Sequence, residues 1–382
     1  MISFTEDHVA EGVERHVRTL PKKPGYILSV LPEQNKTIYS GVKKALDVKL
    51  GIPNQCTLFN KFTKQKFDKF DLQMYALMSM KTCIKLGGVN HMLDPSSNSL
   101  LVKNNLPALV LGADVTHPTG TNEGQGVSIA SVVGSVDQYF NTFPGSISLQ
   151  EGRVEVIGEM AKMVFERCVA YHKKMQKFPN EVLFYRDGVS YGQFDIILKE
   201  EVPKVKEALK QIGLKYKLPN YKPKLTFLVI IKRHNTRFFP LEKNAKNSAG
   251  KLVAVESQEN AMPGSVIEKG VTSVKYFDFF LQSQQALQGT AIPGHYFVLY
   301  DELNYKPDNI QALTYNLCNL FSRATKSVRV VPPAYYADLL CERGTCYIHG
   351  VVPRRGETHL EAATKSLGAG INQAVASTMV YI

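Results

Sequence analysis

The chain has 382 residues, of which 44% are hydrophobic and 21% charged, with a formal net charge of +12. That length allows two or three domains, each with a core of its own, and the composition excludes a disordered or fibrous chain. The surplus of base points to an anionic partner, most often nucleic acid, with a solvated basic surface as the bland alternative.

Residues 1–20 are polar and mixed and read as a lead-in helix, with no signal peptide in ISFTEDH after Met1. PKKPG (21–25) punctuates the chain, YILSVLP (26–32) is a short strand, and EQNKT (33–37) is its exit loop. A helix is expected from about Thr37 to the break at Gly51 and Pro53, followed by a strand at CTLF (56–59). Over 66–85, Phe70, Met74, Leu77 and Met78 fall at i, i+4, i+7 and i+8, one face of a longer helix. This alternation is α/β of the doubly wound, Rossmann-like kind. Tyr39 and Lys43 share a face of the first helix, and Lys81 and Lys85 repeat that spacing on the second. Lysines near helix ends suit a phosphate, and an aromatic ring suits a stacked base. Taken alone, they are ordinary surface lysines and a half-buried tyrosine.

The stretch 86–107 is rich in Gly, Pro, Ser and Asn, and is read as the link between domains at 1–95 and 96–382. LPALVLGA (106–113) then forms an apolar strand that delivers Asp114 to its end. Strands follow at 126–137 and 140–150, and Val156, Met160, Met163, Val164 and Cys168 mark one face of a long helix. A further apolar strand, Val182 to Tyr185, leads to Asp187 and turns at Gly188. A helix over 192–212, a strand at 225–231, a long loop over 238–275, a strand at 296–300 and helices near 309–323 and 333–342 complete the chain. Asp338 lies one turn into the last of these.

A lone Asp at a strand end is ordinarily a turn cap. Its recurrence at Asp114, Asp187 and Asp338 is harder to dismiss, because buried unpaired charge costs several kcal/mol. Hard oxygen ligands of this kind suit two divalent ions about 3.5–4 Å apart, the requirement of ribonuclease H-type phosphodiester hydrolysis. The six dispersed cysteines lack zinc spacing and read as reduced thiols of an intracellular protein. No apolar run approaches the ~18 residues of a membrane helix, so no membrane partner is expected.

GADVTHP (112–118), YRDGVS with GQF (185–194) and PAYYA (333–337) resemble the PIWI domain of eukaryotic argonautes. The resemblance runs in order over 105–382, through IKRHNTR (231–237), GHYFVLYDE (294–302) and LTYNLCNLFSRATKSV (313–328). YSGVKKALDVKLGIPNQC (39–56) and KTCIKLGGVN (81–90) resemble the argonaute MID domain. The implied fold is a Rossmann-like MID domain followed by a ribonuclease H-like PIWI domain. In that likeness Tyr39 stacks on the first guide base, while Lys43, Gln55, Lys81 and Lys85 bind the guide 5′-phosphate. The loop Glu33 to Thr37 senses the base, and Arg323 and Arg343 add phosphate and backbone contacts. Lys232, Arg233, Arg237, His295 and Tyr296 match positions lining the guide strand.

The resemblance makes Asp114, Asp187 and Asp338 ligands of two Mg²⁺ or Mn²⁺ ions, with Asp where the family commonly has His. Glu155 is the matching fourth participant, with Glu151 and Glu159 as rivals, and His117 is given no catalytic role. The activity implied is guide-directed hydrolysis of a paired target RNA. The alternative is a silencing module that binds without cutting. A nuclease without a guide would explain the aspartates but not the Tyr39, Lys43, Gln55 and Lys81 set. Implied partners are a small 5′-phosphorylated guide RNA, its target and Gly-Trp repeat proteins, whose tryptophan pockets are not legible. A cytoplasmic or nuclear location is expected. So is a fragment, because the N-terminal and PAZ domains of full argonautes do not fit this length. Asp338 and the 238–275 loop suggest a fungal or other non-animal member.

Overall fold

A small α/β unit and a large mixed sheet are stitched together at their facing edges, as seen in a computed structural model that describes residues 8–60, 72–98, 101–103, 106–118, 126–239, 244–246, 252–254 and 260–382. The small unit runs α1 (Val9–Thr19), β1 (Ile27–Leu31), α2 (Lys36–Lys43), a π-helical stretch (Lys44–Leu50), β2 (Asn54–Leu58) and α3 (Leu72–Lys85). Asn35 starts α2 by accepting hydrogen bonds from the N–H groups of Thr37 and Ile38. Gly51 ends the π-helical stretch at φ +62, a conformation that favours glycine. β1 and β2 pair in parallel, Ile27 opposite Asn54, around a core of Val9, Val17, Leu31, Val42, Leu46 and Ile52. Among the described residues this sheet has only these two strands. The first turns of the helix expected over 66–85, with Phe70, lie outside the described residues.

The expected link is not a free tether. The Asn90 amide donates to the carbonyls of Met80 and Ser322, and the Asn316 amide reaches the Ser97 carbonyl. Here β3 (Val102–Lys103) and β4 (Leu106–Pro107) form a short antiparallel pair.

The large unit continues with β5 (Leu109–Thr116), β6 (Val127–Gly134), β7 (Gly145–Glu151), α4 (Met160–Met175), β8 (Glu181–Asp187), α5 (Phe194–Lys215) and β9 (Lys224–Ile231). Then come β10 (Asn244–Lys246), β11 (Leu252–Ala254), β12 (Ser265–Ile267), β13 (Phe277–Gln282), β14 (Gly294–Asp301), α6 (Pro307–Cys318), α7 (Pro332–Tyr347) and α8 (His359–Leu367). Eight strands form one sheet in the order β12-β13-β14-β9-β8-β5-β6-β7. β5, β8 and β9 run parallel at its centre, and the other pairings are antiparallel. One face carries α4 and α5 over Leu109, Phe184 and Phe227, and the other carries α6, α7 and the C-terminal tail. Covered on both faces, β5 is apolar from Leu109 to Ala113 and β8 from Val182 to Tyr185; Asp114 lies two residues before the end of β5, and Arg186 and Asp187 close β8.

The loop expected over 238–275 contains β12 and the β10–β11 pair, and part of it lies outside the described residues. The strand β13 was hidden because Asp278 breaks its apolar run. That carboxylate is buried and satisfied by His295 and the Ser273 N–H.

Candidate active site and nucleic-acid interface

Parallel pairing of β5 with β8 sets Ala113 opposite Arg186, which brings the next residues, Asp114 and Asp187, to the same sheet end. Gly188, at φ +85, turns the chain there. A Cβ built on it would lie 2.8 Å from Asp114 Oδ1 and 3.4 Å from Glu155 Oε1, so these carboxylates converge over the glycine. The third aspartate comes from α7. That helix packs directly on β5 because position 112 is glycine: an added Cβ would stand 1.9 Å from the Pro333 carbonyl oxygen. Cys341 seals the contact by donating its thiol to the carbonyls of Asp114 and Ile129.

Asp338 and Asp187 face each other across Lys232, whose Nζ lies 2.8 Å from Asp187 Oδ2 and 3.7 Å from Asp338 Oδ2. Burial, and then repulsion from Asp187 and Asp338, pushes the Asp114 carboxyl well above the usual range. Burial also raises Asp187, against the lowering pull of Lys232. As the side chains stand, no three His, Cys, Asp or Glu among the described residues are disposed to hold one ion. The fit to a divalent cation rests on donor chemistry. It is an all-oxygen set, too crowded to ionise cheaply unaided, with the Lys232 ammonium already serving as a counter-cation.

Glu155 is held rather than free. Its Oε1 accepts from Arg186 Nη2 at 2.9 Å, and its Oε2 lies 2.8 Å from His117 Nε2. His117 Nδ1 is in turn 2.9 Å from Ser128 Oγ, so this structural histidine supports Glu155. Arg186 is fully buried and forks onto Glu201 as well, at 3.0 Å from Nε. The rivals Glu151 and Glu159 are exposed, and Glu159 pairs with Lys162. Arg186 carried no signal in the sequence beyond being a charge at the end of an apolar run, and Glu201, in the charged stretch Lys199-Glu200-Glu201, read as solvated helix surface.

The second cluster lies where the small unit meets the large one. Lys43 is buried and donates to Asn54 Oδ1 at 2.6 Å. Arg343, five residues past Asp338 on α7, donates to Asp47 Oδ2 at 2.8 Å, the Val380 carbonyl at 2.7 Å and Tyr39 Oη at 3.2 Å. Lys85 reaches the same Val380 carbonyl at 3.1 Å, and Lys81 stands one turn earlier on α3. The Gln55 amide is oriented by Tyr26 and Thr82, both donating to Oε1. The Tyr39 ring lies 5.5 Å from Lys43 Nζ and 5.9 Å from the Arg343 guanidinium carbon. In the loop ahead of α2, Thr37 Oγ1 contacts His349 Nε2 at 3.2 Å.

Sequence reasoning missed Asp47, the acid at the heart of this basic set. Burial pushes its carboxyl up, but Arg343, Lys43 and Lys85 outweigh that and hold it below the usual value. Burial, and then Arg343, lowers Lys43. Burial and Lys43 lower Lys85 well below an ordinary lysine. The signal, an Asp four residues after Lys43, reads equally well as a surface helix pair.

Three residues expected to touch the guide, Tyr296, Lys232 and Arg323, make other contacts in this structure. Tyr296 is fully buried in the core, stacked on Phe279 at 5.3 Å and donating to the Arg329 carbonyl, because β14 is an interior strand with both faces covered. Lys232 belongs to the carboxylate cluster. Arg323 lies beside Tyr336 and Glu342 rather than with Lys43. Arg233 is exposed at the end of β9, and Arg237 braces its own loop through the carbonyls of His234 and Thr236. His295 stacks on Phe280 at 3.7 Å and is tied to Asp278.

Two adjoining clefts lie away from both clusters. One, of about 740 Å³, is lined by Lys206, Lys210, Leu214 and Lys217. The other, of about 620 Å³, is lined by His172, Phe178 and Tyr216, and the two share Leu218, Pro219 and Tyr221. All six cysteines are free thiols, and among the described residues no helix is long and apolar enough to cross a membrane.

The family profile described as Piwi domain matches residues 26–349. Protein argonaute 10 of Arabidopsis thaliana is 34% identical over 368 residues, covering 92% of this chain and 36% of the relative. The C-terminal lobe of a budding yeast Argonaute superposes with a TM-score of 0.87 at 38% identity, covering 97% of this chain and 72% of that one. The Kluyveromyces polysporus Argonaute solved with a guide RNA gives the same TM-score at 39% identity, covering 97% and 43%. The chain therefore spans about a third of the length of the curated relatives it matches.

Proposed function

The chain belongs to the argonaute family and carries its Piwi domain, and from that premise we propose that it anchors the 5′-phosphorylated end of a small guide RNA and hydrolyses the target RNA paired to it. One observation carries the proposal: a single helix, α7, contributes Asp338 to the carboxylate cluster and Arg343 to the basic one. A strand anchored at the second is thereby held in fixed relation to the first.

Lys43, Lys85, Arg343 and Gln55 supply the charge and donors for a terminal phosphate, with Lys81 beside them and Tyr39 as the stacking ring. Sequence selection would be left to base pairing, the protein reading only backbone and duplex shape. Asp114, Asp187 and Asp338 would hold two divalent ions, Mg²⁺ or Mn²⁺, whose chemistry when bound is charge neutralisation at the phosphorus and the leaving oxygen. Lys232 balances the carboxylates, and Glu155, fixed by Arg186 and His117, closes the cluster over Gly188. A second reading, a module that holds its target without cutting, is favoured by Lys232, whose ammonium already pairs with Asp187 and Asp338. A Gly-Trp repeat partner would find an aromatic seat in the cleft where His172 stacks on Phe178 at 4.2 Å.

The test compares a 5′-phosphorylated RNA with its 5′-hydroxyl twin at fixed salt, for wild type and Lys43→Ala, because backbone binding varies steeply with salt. A preference of about tenfold or more (about 1.4 kcal/mol) that collapses in the variant is expected. Equal binding of both RNAs overturns guide anchoring. Loaded protein should then cut a complementary target, and Asp187→Ala should not. Binding with no cleavage in the wild type selects the second reading.

A further inference from the structure

Between β7 and α4 the segment 152–158 has no regular structure, yet side chains hold half of its backbone N–H and C=O groups. The Arg153 N–H, on a residue at φ +64, donates to Ser128 Oγ at 2.9 Å. Gln150 Nε2 donates to the carbonyls of Val154 at 2.6 Å and Val156 at 3.1 Å, while the Gly158 N–H donates to Gln150 Oε1 at 3.4 Å. On the buried side, Glu201 Oε1 accepts the Ile157 N–H at 2.9 Å. Arg186 Nη2 donates to the Glu155 carbonyl at 2.7 Å, and Lys204 Nζ to that of Ile157 at 3.4 Å. An irregular segment would ordinarily leave such groups to water.

We infer that Gln150 and Glu201 are positioning residues, a clamp that keeps Glu155 over Gly188 beside Asp114. The inference rests on the reading of the aspartates as a hydrolytic centre. The two work from opposite sides. Packing does little for the outer half of the segment, where Val154 is 43% exposed and a Cβ added to Gly158 would touch nothing within 4 Å. There a single amide, Gln150, gathers three backbone groups. The inner half is anchored by Ile157 in the core and by Glu201, which is fully buried and has two tasks. It accepts the Ile157 N–H, and it balances the Arg186 guanidinium whose far end grips Glu155. Without Glu201, a buried donor and a buried cation would both lose a partner, and each would reorganise at the expense of the segment.

The experiment measures amide hydrogen exchange and single-turnover target cleavage on the whole chain, for wild type, Gln150→Leu and Glu201→Gln. Gln150 is only half-buried at the end of a strand, so its variant should keep the fold. In Gln150→Leu, exchange across 152–158 should quicken at least tenfold while that of β8 stays put. Cleavage should slow by roughly tenfold to a hundredfold, as expected of a misplaced catalytic group, with guide affinity and target KM unchanged. Glu201→Gln keeps an acceptor for Ile157 but removes the charge facing Arg186, and should act in the same direction. Wild-type exchange in Gln150→Leu overturns the clamp, and so does faster exchange with undiminished cleavage. If the wild type itself cuts nothing, the hydrolytic reading fails separately, and the exchange result alone then decides the clamp.

Discussion

Lys43 and Lys85 are where burial and charge conflict most sharply. Each is nearly inaccessible, and each is lowered by burial and by the neighbouring cations. A bound phosphate favours their charged forms, so guide binding should take up protons. Affinity for 5′-phosphorylated RNA should therefore fall as pH rises through the lowered lysine values, while affinity for the 5′-hydroxyl RNA changes little. Titrations at fixed salt from neutral pH up towards the ordinary lysine value decide this, and parallel curves for the two RNAs would remove the lysines from phosphate binding. The aspartates carry the opposite liability. A carboxyl whose folded value is raised, as at Asp114, favours folding at low pH and loses that benefit as pH rises through the folded value. Asp114→Asn should thus melt a few degrees higher than wild type at neutral pH without metal. Added Mg²⁺ or Mn²⁺ should raise the melting temperature of the wild type but not of the variant. A variant less stable than wild type in chelator would mean that the cluster is not under charge strain.

At the scale of elements, α7 is the part on which the candidate site depends. Its start is pressed against β5 at Gly112, and its body delivers both Asp338 and Arg343. Gly112→Ala forces a methyl into the Pro333 carbonyl and should cost about 1–3 kcal/mol, the usual range for overpacking. Guide anchoring and cleavage should weaken together, because one helix serves both. Gly192→Ala, where an added Cβ meets nothing within 4 Å, is the matched control. Equal denaturant midpoints for the two variants would show that the α7–β5 contact yields easily. β13 and α8 belong to this scale as well. β13 was not legible because Asp278 interrupts its pattern; α8 was missed although its Thr358–Glu361 capping box and the glycine after its end, Gly368, are helix signals the sequence carries.

Across the whole molecule, the basic cluster depends on the join between units. Asp47 accepts from Arg343 and Tyr347, its backbone carbonyl accepts the Asn372 N–H, and the Val380 carbonyl takes bonds from Lys85 and Arg343. Thr37 with His349 and Lys44 with Ser366 add further stitches. Removing residues 371–382 should therefore lower thermal stability and abolish the 5′-phosphate preference. The same deletion takes Val375, Met379 and Tyr381 out of the core. Retention of the full preference after that deletion would show that the small unit holds the phosphate by itself.

Much of this was open to reading from the chain. Apolar strands carrying Asp114 and Asp187 near their ends, Tyr39 and Lys43 on one helix face, and Glu155 ahead of a long helix are local patterns, although β5 runs on past Asp114 to Thr116. Local periodicity and spacing record which face or end a residue occupies. What the chain could not record is the partner of a buried charge. Asp47 meets Arg343 from the far end of the sequence, Glu201 meets Arg186 across a strand and a helix, and Lys232 meets Asp187. Tyr296 looked like a surface contact until its strand proved to be interior on both faces. The sequence by itself determined which chemical groups this protein has and the elements that carry most of them. Tertiary structure decided which of those groups neutralise one another, because a low-dielectric interior pairs charges by distance in space and takes no account of distance along the chain.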